Sequence, residues 1–210
     1  MSRQSKFLYK KSKMHVLRRK HFINFILKKQ KLFFKELFFD FCCLLEKKFN
    51  KWFCRDVNID FYTSSVEYNH ICLHKMYLSF IGKNFFLNVN SNECLILISR
   101  VFTSMFIGNI CGNYNVCVDI KSSNLKLTKN EMNILDILLE KIFFICNTTF
   151  LKKISSSIIN TGKYITEDYL LSSNFVSSSY VCFTFLIYID NHQNRLKIYF
   201  PKYIVGDLQK

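Results

Sequence analysis

Residues 127–145 read LTKNEMNILDILLEKIFFI. Thr128 has the side chain of a helix N-cap, and Glu131 follows three residues later, which together spell a capping box. Leu127 and Met132 flank the box as a hydrophobic staple. Leu135, Leu138, Ile142 and Ile145 then recur at steps of three and four. The stretch predicts an amphipathic helix whose apolar stripe packs on a core.

Working upstream, residues 105–114 read MFIGNICGNY. Two of the chain's five glycines, Gly108 and Gly112, fall here, each followed by an asparagine (Asn109 and Asn113). Glycine and asparagine accept positive φ, so the stretch is expected to stop a helix and shape a loop. The run before it, ECLILISRVFTSMF (93–106), is apolar enough to predict a helix of about four turns. Residues 113–126 are expected to form a linker. Farther upstream, HKMYLSF and FFLNVN flank Gly82-Lys83-Asn84, which predicts a hairpin turn at those three residues. Downstream, YVCFTFLIYI (180–189) is a strand apolar on both faces. Asn191-His192-Gln193-Asn194 turns the chain, RLKIYF returns it, and Pro201, which cannot donate to a ladder, ends that strand.

Toward the N-terminus, Phe34, Leu37, Phe38, Phe41, Leu45, Phe49 and Trp52 share one helical face, with lysines at 28, 31, 35 and 47 largely elsewhere. The expected organisation is a basic disordered tail over 1–13, an amphipathic helix over 14–54 packed on a domain, and that domain over 55–208. The 210 residues carry a net charge of +15, and residues 1–55 alone hold 16 Lys/Arg against 3 Asp/Glu. Such an arm suits an anionic partner. The chain also lacks alanine and is rich in Phe, Lys, Asn and Ile, as in a drifting A+T-rich bacterial genome, which weakens any argument from lysine content. A solvated lysine face is therefore preferred over a nucleic-acid interface. Neither a secretory leader nor a transmembrane run is expected, and the nine cysteines read as reduced thiols.

Motifs for chemistry are missing. His70, Cys72 and His74 alternate as on one strand face, with Cys54 as a distant fourth ligand, but no CxxC supports a metal site. Asp56 and Asp60 are weakly paired carboxylates. Phosphate loops, dinucleotide fingerprints and nucleophile elbows are absent. No catalytic residue, cofactor, metal or small-molecule substrate is expected, and the reading is of an interaction protein rather than an enzyme.

The order of these elements resembles the middle domain of the flagellar motor switch protein FliM family. Ile107-Gly108-Asn109 stands where that family has Phe-Gly-Gly, and Gly112 stands for the last glycine of its loop. Leu127, Thr128 and Glu131 match its helix opening. Phe200, Pro201 and Ile204 match its closing stop, and the basic helix 16–53 is similar to its first long helix. The resemblance implies a three-layer α/β/α fold with a mostly antiparallel sheet. It implies a structural subunit of the cytoplasmic ring of the basal body, peripheral to the inner membrane, that serves flagellar assembly, rotation or switching. It implies that Ile107, Gly108, Asn109, Gly112 and Asn113 contact a FliG-like rotor protein, and that copies of the chain pack side by side. Three departures stand out. The Gly-Gly pair is Gly108-Asn109. SRQSKFLYKK is basic where the family carries an acidic-apolar peptide for phosphorylated CheY, so CheY binding is not expected. The chain ends at Lys210, before the domain that joins a FliN-like protein, so a shortened copy is expected. The related CheC phosphatases need a Glu and an Asn one helical turn apart, whereas Glu131 precedes Ile134 and Glu140 precedes Phe143. A ring component of a virulence-type secretion system is the alternative reading, and a basic nucleic-acid binder is the third.

Overall fold

The computed structural model describes residues 32–68, 79–88, 90–113, 127–153, 155–166, 179–202 and 204. The chain divides between Leu37 and Phe38. Before that boundary residues 32–37 are helical; everything below concerns the unit that begins at Phe38. The predicted tail 1–13, helix residues 14–31, the linker residues 114–126, and His70, Cys72 and His74 lie outside the described residues.

Helix α1 (Phe39–Phe53) buries Phe41, Leu45 and Phe49 of the apolar stripe read from the sequence, adds Cys42 and Phe53 to it, leaves Trp52 half-buried, and ends at Cys54 in the left-handed region. Strand β1 (Val57–Tyr68) follows, then β2 (Phe80–Leu87), β3 (Asn90–Ser99), helix α2 (Arg100–Ile110), helix α3 (Lys129–Thr148), the short helix α4 (Phe150–Lys153), β4 (Ile158–Tyr164), β5 (Ser179–Ile189) and β6 (His192–Pro201). The six strands make one antiparallel sheet in the order β1-β5-β6-β3-β2-β4. This is the mixed α/β class with an antiparallel sheet that the sequence predicts.

The capping box on α3 is formed as read. The Thr128 hydroxyl accepts from the Glu131 N–H at 3.3 Å, and the Glu131 carboxylate accepts from the Thr128 N–H at 2.7 Å. Strand β5 sits second from one edge, between β1 and β6, and both its faces are buried. Pro201 closes β6 opposite Tyr180. The β5–β6 turn is tighter than predicted: Ile189 pairs with His192, and Asp190, with φ 51°, makes the reversal with Asn191.

Two expectations are corrected. Gly82-Lys83-Asn84 is not a turn but the middle of β2, and the hairpin follows Leu87, which pairs with Asn90. Gly82 is needed because its backbone approaches the neighbouring strand: a Cβ there would lie 1.8 Å from the Ile96 carbonyl oxygen. The stretch 93–106 is not one helix. Its first half belongs to β3, an inner strand whose Leu95, Ile96, Leu97 and Ile98 are all buried. An apolar run of that length does not distinguish a two-sided strand from a buried helix. The switch is Ser99, whose hydroxyl oxygen accepts from the Phe102 N–H at 3.1 Å and caps α2.

Helices α1, α3 and α4 meet one face of the sheet through rings. Phe41 of α1 lies 5.1 Å from Phe185, Phe143 of α3 5.5 Å from Phe85, and Phe150 of α4 6.1 Å from Phe200. Phe38, fully buried, packs on Phe61, Phe150, Phe183 and Phe185 with centroids 4.8–5.3 Å away. Helix α2 joins this layer through α1, with Phe102 5.1 Å from Phe49. Each such side chain gains about 1.5–3 kcal/mol from leaving water. The opposite face carries a second cluster of Leu95, Leu97, Ile165, Tyr180, Cys182 and Tyr199.

Polar side chains of the helices finish both sheet edges. On edge strand β1, the Val57 and Ile59 N–H groups donate to Asn50 Oδ1 at 2.6 Å and Glu46 Oε1 at 2.7 Å, both on α1. On edge strand β4, the Ile158 N–H donates to Asn147 Oδ1 of α3 at 2.7 Å. Donors that would otherwise be open to a foreign strand are thus occupied.

Candidate docking site at the end of helix α2

Helix α2 continues to Ile110, one turn farther than the glycine pattern predicts. Gly108 therefore does not interrupt it. The ending is a Schellman motif. The Asn113 N–H reaches back to the Gly108 carbonyl at 2.8 Å, and the Gly112 N–H reaches the Asn109 carbonyl at 3.1 Å. Gly112 holds φ +82°, a conformation that glycine adopts without a Cβ penalty, and no atom lies within 4 Å of where its Cβ would be. The turn thus needs Gly112 for its backbone angle, while the space around it is open.

The five residues singled out in the sequence have different surroundings. Ile107 is buried in the core with Phe102 and Phe106. Gly108 and Asn109 are half-buried in the last helical turn. The Asn109 amide donates to the Trp52 carbonyl at 2.6 Å. Trp52 lies in the last turn of α1, where carbonyls have no partner within the helix. This bond fixes the C-terminal ends of α1 and α2 together. Gly112 and Asn113 are exposed, as are Cys111 and Cys54.

Sequence reasoning missed Ile110. Its side chain is 48 % exposed on the last turn, the one large apolar group that the described part of the turn offers to another surface. An isoleucine beside two glycines gave no signal, because its exposure depends on which way the final turn faces. Trp52 was read only as part of the core stripe. It is half-buried, stacks on Phe49 at 5.9 Å and packs edge-on against Phe106 at 5.1 Å, so it backs the turn. Arg55, just past α1, bonds Asp190 of the β5–β6 turn at 2.6 Å and ties the same end of α1 to the sheet. The arrangement presents backbone polar groups, a short amide and one aliphatic side chain on a firmly anchored turn. It suits packing against another protein.

The other polar cluster lies across the helix layer. Lys83 of β2 approaches Asp136 of α3 at 2.5 Å and stands over the Tyr164 ring at 4.4 Å, while the Tyr164 hydroxyl donates to the Asp136 carboxylate. Burial first, and then the bond and charge of Asp136, push the Tyr164 phenol above its ordinary range. The phenol stays a protonated donor and joins β4, β2 and α3. Asp56 and Asp60 are both exposed at the start of β1. Among the described residues no group of three or more His, Cys, Asp or Glu could hold a metal. Glu131 is engaged in its helix cap.

Compared with known proteins, the sequence matches no protein-family model and no curated protein. Solved structures do match. A chain of the FliG–FliM complex from H. pylori superposes with a TM-score of 0.70 at 14% identity, over 87% of this chain and 99% of that one. The FliM middle domain from H. pylori gives 0.66 at 12% identity, over 86% and 98%. FliY from Thermotoga maritima gives 0.65 at 8% identity, over 86% and 94%. The chain has the fold of the FliM middle domain.

Proposed function

We propose that this chain is a structural subunit of a flagellar motor switch, and that the turn ending α2 docks a FliG-like rotor protein. The observation that carries the reading is the match to a chain of the FliG–FliM complex over almost the whole of both chains. The turn supports it from this chain's own residues. Ile110, Cys111, Gly112 and Asn113 are exposed together, and the Asn109–Trp52 bond holds them in place. A rigid, preorganised surface loses little entropy when it binds. Copies of the chain then stand side by side in a ring at the cytoplasmic face of the inner membrane. Among the described residues no helix is long and apolar enough to cross a membrane, which agrees with a peripheral position.

The test is co-purification with the FliG-like protein of the same genome, at about 150 mM salt and again at about 1 M, where charge-driven contacts are screened. A complex that survives high salt and is lost on Ile110→Asp is expected. Failure to form a complex at either salt refutes the assignment. A complex indifferent to Ile110→Asp keeps the partner and removes the α2 turn from the interface.

A further inference from the structure

The outer face of α3 carries apolar and charged side chains at regular spacing. The buried side of the helix runs through Leu135, Leu138, Ile142 and Ile145. On the opposite side Ile137, Glu140 and Phe144 are exposed and Lys141 is half-buried. At about 100° per residue these four positions lie within about 50° of one line along the helix. Ile137 (59 % exposed) and Phe144 (58 % exposed) stand almost on that line, two turns or about 10 Å apart. Glu140 and Lys141 lie between them, one on each flank.

Neither charge is neutralised within the molecule. Among the described residues no ion pair holds Glu140 or Lys141. The Lys141 ammonium lies over the Phe144 ring of its own helix, at 5.0 Å. A helix face with an anion on one flank and a cation on the other matches a copy of itself in one direction only. When two such helices pack in parallel about a two-fold axis, the Glu140 flank of each meets the Lys141 flank of the other. Packed antiparallel, each flank meets its own kind, and like charges repel.

We infer that this face of α3 is a pairing surface for a second copy of the chain, the two α3 helices lying parallel across a two-fold axis. Ile137 packs on Ile137 of the partner subunit, and Phe144 on Phe144 of the partner subunit. At an interaxial distance of about 8–10 Å, Glu140 and Lys141 of the partner subunit are within reach of an ion pair on each flank. A lipid bilayer fits less well, because Glu140 places a carboxylate between the only two large apolar groups that this stripe offers. A two-fold contact closes on two copies, whereas a ring adds copies head to tail. The inference therefore goes beyond the motor-switch reading and does not depend on it.

The test is sedimentation equilibrium of the full chain from about 1 to about 500 µM, a range that covers weak pairs, at about 150 mM salt to screen the net charge. A monomer–dimer equilibrium is expected. Phe144→Asp, Glu140→Lys and Lys141→Glu should each weaken it by about tenfold or more, while far-UV circular dichroism shows the fold intact. Mixing Glu140→Lys with Lys141→Glu should restore pairing, since one copy then carries two cations and the other two anions. The double variant Glu140→Lys/Lys141→Glu should pair with itself and not with the parent chain. A chain monomeric throughout the range, or a dimer indifferent to Phe144→Asp and Glu140→Lys, overturns the inference. So does a double variant that prefers the parent, which is the mark of antiparallel packing. A monomeric chain that instead binds phosphatidylserine vesicles or the FliG-like protein, and loses that binding on Phe144→Asp, overturns it as well and gives the face to that partner.

Discussion

Replacing Gly112 separates what the α2 turn needs from what a partner needs. A left-handed backbone costs a residue with a Cβ about 1–2 kcal/mol. Alanine also restricts the unfolded chain relative to glycine, which returns about 0.4–1 kcal/mol. Because nothing lies within 4 Å of the missing Cβ, no steric term adds to this balance. Gly112→Ala should therefore lose about 0.5–1 kcal/mol, or about 1–4 °C in Tm for a domain of this size. Gly112→Val should lose more, since β-branching disfavours positive φ further, and Gly112→Asn less, since asparagine tolerates it. The assay is thermal unfolding followed by circular dichroism, with binding to the FliG-like protein measured well below Tm. If Gly112→Asn preserves binding while Gly112→Val weakens it, the angle of the turn is what the partner reads. A Gly112→Val protein as stable as the parent, or Asn as damaging as Val, would refute the backbone argument itself.

Other consequences are equally direct. Gly82→Ala should be more damaging than Gly112→Ala, by about 1–3 kcal/mol of overpacking, because the new methyl meets the Ile96 carbonyl, part of a backbone that cannot turn away; urea denaturation gives the comparison. The Glu93 carboxyl is held above its ordinary range by burial, against the pull of the Asn84 amide 2.6 Å away. The folded state thus favours its protonated form, and stability falls as pH rises from the unfolded pKa through the folded one. Glu93→Gln, which can keep the bond from Asn84, should raise Tm at pH 7, with the gain fading below the ordinary glutamate pKa of about 4.3. Among the described cysteines, Cys54 and Cys111 are exposed and should react with a thiol reagent in the native protein. Cys42 should not, since burial first, then Glu46, Asp60 and Cys43, push its thiol up to about 12, and buried Cys94, Cys146 and Cys182 should likewise wait for unfolding.

The parts of this fold that were legible in the sequence are those whose cause is local. The capping box at Thr128 and Glu131, the stripe of α3, the two-sided strand β5 and the stop at Pro201 each follow from a few neighbouring residues. The parts that were missed depend on the neighbouring strand. Gly82 looks like a turn until the Ile96 carbonyl is in place beside it. Leu95–Ile98 could have been helix or strand, and burial between β2 and β6 decides for strand. At the candidate site, Gly112 was readable because positive φ is a property of one residue. Ile110 and Trp52 were not, because exposure and the bond from Asn109 arise only where two helices end side by side.

The pairing of β1 with β5 sets an order of events during synthesis. Tyr68 registers with Ser179 and Val57 with Ile189, so the first strand to leave the ribosome waits for the fifth. Translation at about 5–20 residues per second makes that wait on the order of ten seconds. Throughout it, the rings of Phe38, Phe41 and Phe61 have no Phe183 or Phe185 to close upon. The nascent chain therefore carries an uncovered aromatic surface for most of its synthesis, and its yield in the cell will depend on chaperones that bind such surfaces as much as on the stability of the finished domain.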